Sequence, residues 1–327
     1  PYSGAGTCGH WLFEPQRTNL ITQSELFIGG GWTPSNITIT SDYGISPDGT
    51  NNSTRLVFGS GVAYINRASG IGVGEQASSI YVKGISGQIL KFGKGGNVGS
   101  GTNFSLNGEW QRLEQISTNS GTAYHITSNL GGANATEVEV WGAQLEEQSF
   151  ATSYIPTSGS TVTRNQEAAF GAGNSDLINS TEGVLYAEIA KFQDNNDNFI
   201  LLSLNNSSDN SDNNTVTIGF DSDDDFFIRV EANNVPAFYS NDQTSSKNVF
   251  YKVALSYKSG DSKIYINGNS ITPNTGSLTN AFSFGSTLDN LSFDFNGNGV
   301  LPFYGKTKCV AVFKEALTDD ELECLTS

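Results

Sequence analysis

The amino-acid sequence predicts an all-β chain of two tandem antiparallel β-sandwiches that ends in one short helix. Three observations lead to this prediction. Hydrophobic residues make up 36% and charged residues 15% of the 327 residues, and 37 Gly with 33 Asn supply many turn positions; this composition disfavours helical bundles and coiled coils. Short segments alternate polar and apolar residues along the whole chain. The length exceeds that of one ordinary domain, so two sandwiches can each bury a core.

The N-terminal half consists of short alternating segments separated by turn residues. Segments 37–40, 79–83 and 137–141 place polar and apolar side chains on opposite faces, as a half-buried strand requires. Pro47-Asp48-Gly49 and Leu106-Asn107-Gly108 fall between such segments and contain residues that favour turns. No apolar stripe with a helical period occurs here. We therefore predict a β-sandwich of the jelly-roll type.

The C-terminal half shows the same alternation more strongly and ends differently. Asn267-Gly268 follows an alternating segment and predicts a two-residue hairpin turn. Thr318 and Glu321 are spaced as a capping box, in which each side chain bonds the backbone amide of the other residue, so we predict that a helix begins there. The candidate strands are 184–190, 199–204, 215–220, 226–230, 251–257, 263–266, 291–295 and 308–313.

A stretch rich in Pro, Gly, Ser and Thr at 154–164 predicts the connection between the two modules. The charge changes at the same place. Residues 1–165 carry 11 acids and 8 bases, whereas residues 166–327 carry 22 acids and 9 bases. Such asymmetry suggests two modules of different origin. We therefore assign residues 1–163 to the first module and residues 164–327 to the second.

Composition excludes several classes of function. The formal net charge is −16, so the surface offers no general phosphate-binding region and we expect no nucleic-acid partner. No segment approaches 18 consecutive apolar residues, so we expect no membrane insertion. The chain opens at Pro1 and contains no Met, which we interpret as a processed product or a fragment of a longer polypeptide. Cys8, Cys309 and Cys324 make no disulfide framework; a Cys309–Cys324 bond and free thiols are both open at this point.

Several segments resemble known families. The second half resembles the laminin-G-like domains of the concanavalin A-type lectin/glucanase fold, through 183–188 (GVLYAE), the hairpin 251–268, and 305–313 (GKTKCVAVF) followed by 316–322. The first half is similar to the jelly-roll modules of phage tail and fibre proteins and to carbohydrate-binding modules of families 4 and 9. The segments that carry this similarity are 14–21 (EPQRTNLI), 32–33, 46–49, 79–83, 109–113 (EWQRL), 141–146 (WGAQLE) and 151–157 (ATSYIPT).

The resemblance implies an architecture and a setting. The architecture is a jelly roll followed by a concanavalin A-like sandwich. The setting is a non-catalytic structural or adhesive virion protein, in a tail fibre, tail tip or capsid appendage, that contacts a host cell-surface glycan. The resemblance further implies that the protein lies on the phage tail or capsid surface and contacts other virion proteins. It also implies a homo-oligomer, with a trimer as one option. The alternative is a binding region or catalytic fragment of a secreted, extracellular polysaccharide-degrading enzyme.

Aromatic side chains are the candidates for glycan contact, because sugar C–H faces stack on aromatic rings while polar side chains bond the hydroxyls. Trp32 lies between three glycines and Thr33-Pro34, so we expect it to be exposed in a loop. Trp110 and Trp141 lie in the family-like segments, and we expect both in the core. The candidate carbohydrate-binding residues are Trp32, Tyr43, Tyr64, Tyr81, Tyr124 and Tyr239.

Two carboxylates raise the question of catalysis. Glu137 and Glu139 are two residues apart on a predicted strand, so both side chains emerge on one face. Some sandwich-fold glycosidases use such a pair as acid and nucleophile, but the third acid that resembling glucanases carry on the same face is missing here. We therefore interpret the pair as a solvated strand face and predict no catalytic residues. His10 and His125 form no recognisable catalytic motif.

Two acid-rich segments suggest calcium, because hard cations prefer several oxygen ligands close together. Asp194 and Asp197 lie in one segment, and Asp221 and Asp223 lie in the other. Neither segment has the spacing of an EF-hand loop. The alternative interpretation of the second segment is a solvated hairpin loop. Calcium at these four residues is the one cofactor that the sequence suggests.

Overall fold

The computed structural model describes residues 9–68, 74–118, 120–192, 199–208 and 213–327, which form two compact units. Residues 16–165 make the first sandwich, and residues 9–15 together with 166–327 belong to the second. The chain therefore leaves the second sandwich after Pro15 and returns to it at Gln166. Among the described residues no helix is long and apolar enough to cross a membrane.

The described residues contain short strands and one helix at the C-terminal end. In chain order the elements are β1 (Trp11–Phe13), β2 (Arg17–Asn19), β3 (Trp32–Ser35), β4 (Ile37–Thr40), β5 (Thr54–Phe58), β6 (Ala63–Ala68), β7 (Gln76–Gly84), β8 (Ile89–Gly95), β9 (Thr102–Ser105), β10 (Gln111–Ser117), β11 (Ala123–Ser128), β12 (Glu137–Glu146), β13 (Val162–Arg164), β14 (Glu182–Lys191), β15 (Ile200–Asn205), β16 (Asn214–Phe220), β17 (Phe226–Ala232), β18 (Val235–Ser240), β19 (Tyr251–Lys258), β20 (Lys263–Ile266), β21 (Asn269–Ile271), β22 (Thr275–Gly276), β23 (Asn290–Ser292), β24 (Gly305–Phe313) and α1 (Asp319–Thr326). The predicted all-β class, with tandem sandwiches and one short helix, is confirmed.

The first sandwich has two five-stranded antiparallel sheets, in the orders β10-β7-β12-β5-β4 and β3-β6-β11-β8-β9. Alternating residues point between the sheets because successive side chains of a strand leave opposite faces. The polar residues of the same strands therefore line the outer faces. The core between the sheets includes Leu56, Ile65, Ile80, Phe92, Tyr124, Ile126 and Val140, all with no exposed surface.

The second sandwich has two six-stranded sheets, in the orders β1-β24-β14-β19-β20-β21 and β22-β18-β17-β16-β15-β23. Its core includes Leu185, Ile189, Leu202, Ile218, Phe220, Ile228, Val253 and Leu255. The helix α1 covers the outer face of the first of these sheets. Leu322 is fully buried there against Val184, Tyr186, Ala254 and Tyr265, as the three-residue spacing of Leu322 and Leu325 predicts.

The strand β1 belongs to the second sandwich, which differs from the assignment of residues 1–163 to the first module. Trp11, Leu12 and Phe13 pair antiparallel with residues 307 to 305 of β24. The Phe13 ring stacks on Phe293 at 4.2 Å between centroids. A three-residue strand has too short a pattern to reveal its partner, because the pairing depends on residues almost 300 positions away.

The stretch 154–164 is part of the first sandwich rather than a free connection. Ile155 is 3% exposed, and its backbone amide donates to Gln144 Oε1 at 2.7 Å. The Asn19 side chain donates to the Ile155 carbonyl at 2.8 Å, and β13 pairs with β2. Two hydroxyl residues of the stretch are also bonded to the N-terminal part of the first sandwich: the Thr157 amide donates to Ser24 Oγ at 2.8 Å, and Thr163 Oγ1 lies 2.7 Å from Thr18 Oγ1. The change from one unit to the other falls between Asn165 and Gln166. Residues 165–177 are mostly exposed, and the backbone of Glu167, Ala169 and Ala172 is hydrogen-bonded to the second sandwich.

The predicted turn and cap are both confirmed. Asn267 and Gly268 have φ of 47° and 77° between β20 and β21, the left-handed conformations that an Asn-Gly hairpin turn uses. At the start of α1, the Glu321 amide donates to Thr318 Oγ1 at 3.4 Å, and the Thr318 amide donates to Glu321 Oε2 at 2.8 Å. Cys309 and Cys324 are free thiols, which decides between the two alternatives for that pair; Cys8 lies outside the described residues.

Limited proteolysis is expected to cut within residues 165–177 and to leave the two fragments together. The reason is that β1 remains in the second sandwich after the cut, so the N-terminal fragment is still held by its pairing with β24. Denaturing electrophoresis should show two bands, and size-exclusion chromatography of the same sample should show one peak. A first cut inside 154–164, or two separate peaks, would contradict this arrangement.

Replacing Thr318 with Ala is expected to lower the free energy of unfolding of the second sandwich by about 1 kcal/mol, the usual loss when an N-cap hydroxyl is removed. Differential scanning calorimetry should show a lower melting temperature for the transition of the second sandwich. Thr287→Ala is the matched control, since Thr287 is exposed and lies outside the helix. Equal shifts in both variants would mean that the cap contributes nothing to α1.

Candidate functional site

The outer face of the β10-β7-β12-β5-β4 sheet carries a row of charged side chains. On β12, Val138 and Val140 point into the core, so Glu137 and Glu139 emerge on the outer face. In register, Glu139 lies between Arg55 of β5 and Lys83 of β7. Cross-strand neighbours on one face lie about 5 Å apart, close enough for ionic side chains to meet. The row therefore forms where three adjacent strands each supply an outward charge.

These charges form two ion pairs. Arg55 Nη2 donates to Glu137 Oε2, and this hydrogen bond raises the pKa of Arg55 above its ordinary value. Lys83 Nζ lies 3.6 Å from Glu139 Oε1. The other oxygen of Glu139 accepts a hydrogen bond from Ser53 Oγ at 2.8 Å. The strand face that the sequence predicts to be solvated thus carries an ordered set of donors and acceptors.

The loop that joins β4 to β5, residues 41–53, stands over this face. Its two arms pair with each other: the Tyr43 amide donates to the Ser53 carbonyl at 2.9 Å, and the Ser53 amide donates to the Gly44 carbonyl at 3.1 Å. At its tip, Asp48 accepts from Ser46 Oγ at 2.6 Å and from the Thr50 amide at 2.8 Å. The bond from Ser46 holds the pKa of Asp48 below its usual value. The loop is therefore a small closed hairpin.

One tryptophan fixes the far side of this loop. Trp110 lies just before β10, at the edge of the sheet opposite β4, and its Nε1 donates to the Ile45 carbonyl at 3.1 Å. The backbone of Gly44 passes so close to Glu139 that an added Cβ would lie 2.6 Å from Oε2. The loop thus reaches across the sheet. The expectation that Trp110 belongs to the core is corrected, since its indole is half-buried at this contact.

Between the loop and the sheet lies an open groove of about 280 Å³. Tyr43 stands at its side with 48% of its surface exposed. The guanidinium carbon of Arg55 lies 5.0 Å from the centre of the Tyr43 ring, a cation–π contact that orients both groups. The groove is lined by Tyr43, Arg55, Lys83, Gly84, Ile85, Gly108, Glu137, Val138 and Glu139.

The six aromatic candidates are not brought together. Trp32 is 5% exposed and donates through Nε1 to the Gln23 carbonyl at 3.2 Å, while Tyr124 is fully buried. The expectation that Trp32 is exposed is therefore corrected: Trp32 begins β3, and its ring turns inward against Phe27 and Tyr124. A buried ring offers no face to a ligand.

The other four aromatic candidates lie on surfaces, in different places. Tyr64 is half-buried on the opposite sheet of the first sandwich. Tyr81 is half-buried on the same face as the groove, with its ring 5.5 Å from Trp141. Tyr239 lies in the second sandwich, stacked on Phe227 at 6.5 Å. Tyr43 alone among the six lines the groove.

The acid-rich segment 221–225 closes the hairpin between β16 and β17. Asp221 is 3% exposed, and its Oδ1 accepts from the Asp223 and Asp225 amides at 2.9 and 3.0 Å. Burial raises the pKa of Asp221. Asp223 is exposed. Asp224 forms an ion pair with the fully buried Lys191, with 2.5 Å between Oδ1 and Nζ. Within the described ranges no three His, Cys, Asp or Glu side chains converge on a metal-sized site; Asp194 and Asp197 lie outside them.

The two histidines are apart from the groove. His125 is 2% exposed, and burial lowers its pKa. It lies next to Tyr124 on β11, so strand alternation sends the two side chains to opposite faces. His10 packs edge-on against Phe250 in the second sandwich.

Sequence reasoning missed the cations and the loop that complete the groove. Arg55 is followed by Leu56 and Lys83 is preceded by Val82 on alternating strands, which was the available signal for outward-facing side chains. Their approach to Glu137 and Glu139 depends on the order of strands in the sheet. The reach of Trp110 to Ile45 likewise spans 65 positions of the chain.

Some solved structures show similarity to this chain. No curated protein matches this chain. Among solved structures, the CBM40 module of the Ruminococcus gnavus IT-sialidase, bound to α2,3-sialyllactose, is 18% identical over 46% of this chain and 84% of that chain, with a TM-score of 0.36. Domain 4 of the arabinanase AbnA from Geobacillus stearothermophilus, in complex with arabinotriose, is 14% identical over 52% and 74%, with a TM-score of 0.34. These similarities are distant.

The family comparison bears on the second sandwich. The model of the Laminin_G_3 family, described as the concanavalin A-like lectin/glucanases superfamily, matches residues 189–323. The match begins within β14 and ends within α1, so it covers most of the second sandwich. The second sandwich of this chain is therefore similar to the concanavalin A-like lectin/glucanase superfamily.

Proposed function

We propose that this protein binds carbohydrate without chemical conversion, through the groove beneath the β4–β5 loop. The observation that carries the proposal is the exposed Tyr43 ring beside an ordered row of ionic donors and acceptors. A sugar presents an apolar C–H face and a rim of hydroxyls, which match an aromatic ring and hydrogen-bonding side chains respectively. Concave sites with few fixed polar groups are the usual form of small-ligand sites.

The carboxylates of the groove favour binding over hydrolysis. A retaining glycosidase needs one carboxyl group as general acid, and proteins keep such a group protonated by an apolar environment. Glu137 instead accepts from Arg55, and Glu139 lies beside Lys83 and accepts from Ser53. These contacts suit two acceptors for sugar hydroxyls. The alternative function, a fragment of a secreted polysaccharide-degrading enzyme, would need a proton donor in this groove.

For the biological setting we propose a structural or adhesive component of a phage virion that contacts host surface glycans. The support is the series of segments in residues 14–157 that resembles tail and fibre modules. Single groove contacts would be weak, and several copies around a symmetry axis would multiply them into useful avidity. The setting thus includes self-association and contact with other virion proteins, on a phage tail or capsid surface.

Replacing Tyr43 with Ala is expected to weaken glycan binding about tenfold, equal to about 1.4 kcal/mol, because the sugar loses its aromatic platform. A glycan array should identify the ligand, and isothermal titration should give the affinities. Tyr64→Ala is the matched control, since Tyr64 lies on the opposite sheet of the same sandwich and should leave the affinity unchanged.

Two results would contradict the proposal. One is an affinity that falls with Tyr64→Ala or Tyr239→Ala and not with Tyr43→Ala, which would place the site elsewhere. The other is release of reducing ends from a polysaccharide by the unmodified protein, abolished in the Glu137→Gln, Glu139→Gln double variant. That result would establish the groove as a hydrolytic centre.

Self-association is expected to be insensitive to salt. Residues 16–165 carry 10 acids and 8 bases, whereas residues 166–327 carry 22 acids and 9 bases, so copies can approach through the first sandwich at lower electrostatic cost. Light scattering on the full chain should give the same oligomeric mass at low salt and at about 1 M salt, where the screening length falls to about 3 Å. An oligomer that forms only at high salt would indicate contact through the acidic sandwich instead.

A further inference from the structure

We infer that the groove selects neutral sugars over uronic acids and other anionic sugars, because each of its cations is matched by a carboxylate. This inference names the ligand class of the proposed binding function and rests on it. Two bases and two acids line the groove, so its formal charge is zero. The two charge pairs are Arg55 with Glu137 and Lys83 with Glu139.

The pairing is built into the sheet. Glu139 has Arg55 as its neighbour on β5 and Lys83 as its neighbour on β7, in direct register on both sides. The carboxylate is held by a second contact, the 2.8 Å hydrogen bond from Ser53 Oγ. The strand order therefore places each cation within reach of an anion, and a bound sugar would meet both signs of charge together.

The carboxylates also lie within reach of a ligand. The Glu137 side chain is 39% exposed and the Arg55 side chain 32% exposed, so a sugar that reaches the guanidinium also reaches the carboxylate beside it. A carboxylate-bearing sugar would be attracted by Arg55 and repelled by Glu137 at similar distances. The sugar carboxylate would therefore gain little electrostatic binding free energy, while it would lose its hydration on entering the groove.

A neutral sugar is not repelled by either carboxylate. Each hydroxyl both donates and accepts, so neighbouring hydroxyls can accept from the guanidinium or ammonium and donate to the carboxylate of the same pair. Hydrogen bonds in which one partner is charged are stronger than those between neutral groups. The Tyr43 ring supplies the apolar surface for the C–H face of the sugar. Both charge pairs then contribute without any net charge on the ligand.

The test compares sugars of the same ring stereochemistry that differ at C6, where a hydroxymethyl group is replaced by a carboxylate: oligosaccharides of mannose, galactose and glucose against those of mannuronic, galacturonic and glucuronic acid. Titration of the unmodified full chain should show at least tenfold tighter binding of a neutral member than of its uronate counterpart. In the Glu137→Gln, Glu139→Gln double variant, Arg55 and Lys83 lose their partners. Affinity for the uronate should then rise at least tenfold and should fall again with added salt.

The matched control changes the same total charge elsewhere. Glu315→Gln with Glu323→Gln removes two carboxylates from exposed positions of the second sandwich and should leave the preference for neutral sugars unchanged. An equal gain of uronate affinity in this control would overturn the inference, since it would show that net charge alone sets the preference. Circular dichroism should confirm that both double variants fold.

The comparison on the unmodified chain decides the inference even where a variant does not fold. If uronates bind as tightly as neutral sugars or more tightly, and Tyr43→Ala abolishes that binding, the inference is overturned while the proposed function stands. If no sugar of either class binds, the proposed function itself fails. The two failures are therefore distinguishable.

Discussion

The two-residue alternation of β12 connects the core of the first sandwich to its outer surface. Val138 and Val140 lie in the core, and Glu137 and Glu139, which alternate with them, are forced to the other face. A shift of one residue in register would bury both carboxylates and expose both valines, so the core holds the register firmly. The position of the groove is therefore a consequence of hydrophobic packing on the opposite side of the same strand.

The ion pairs on this face contribute little to the stability of the fold. Their side chains are 17–41% exposed, and exposed ion pairs typically contribute about 0–1 kcal/mol. The sandwich is held by its buried aliphatic and aromatic core, which the same strands supply from their inner face. Charges on the outer face can thus be exchanged with small effect on folding, which leaves them free to determine what the groove binds.

The path of the chain places a different constraint on the second sandwich. Its β1 edge strand comes from the N-terminal end, so this sandwich is complete only when segments on both sides of the first sandwich are present. Within the second sandwich, Glu14 and Glu167 hold the two segments together: the Glu14 amide donates to the Glu167 carboxylate at 2.8 Å, and the Glu167 amide donates to the Glu14 carbonyl at 2.9 Å. Contacts of such long sequence separation form late in folding, because the loop between them must close first.

The sequence by itself determined the features that depend on neighbouring residues. Alternation identified the strands around Glu137, the Asn267-Gly268 pair identified a hairpin turn, and the spacing of Thr318 and Glu321 identified the start of α1. Each of these patterns acts through bonds or contacts a few positions apart, so local sequence is sufficient. The interpretation of the second half as a concanavalin A-like sandwich rested in the same way on contiguous segments.

Only the tertiary structure decided which side chains meet. Trp32 has a loop-like sequence context, yet its ring fills the core, because burial depends on the sheet that packs above it. Arg55, Lys83 and Glu139 are far apart in sequence and become neighbours through the strand order β7-β12-β5. Tyr43 becomes a groove residue because Trp110 holds the far side of its loop. Strand order and loop closure are properties of the whole fold, and local patterns carry no information about them.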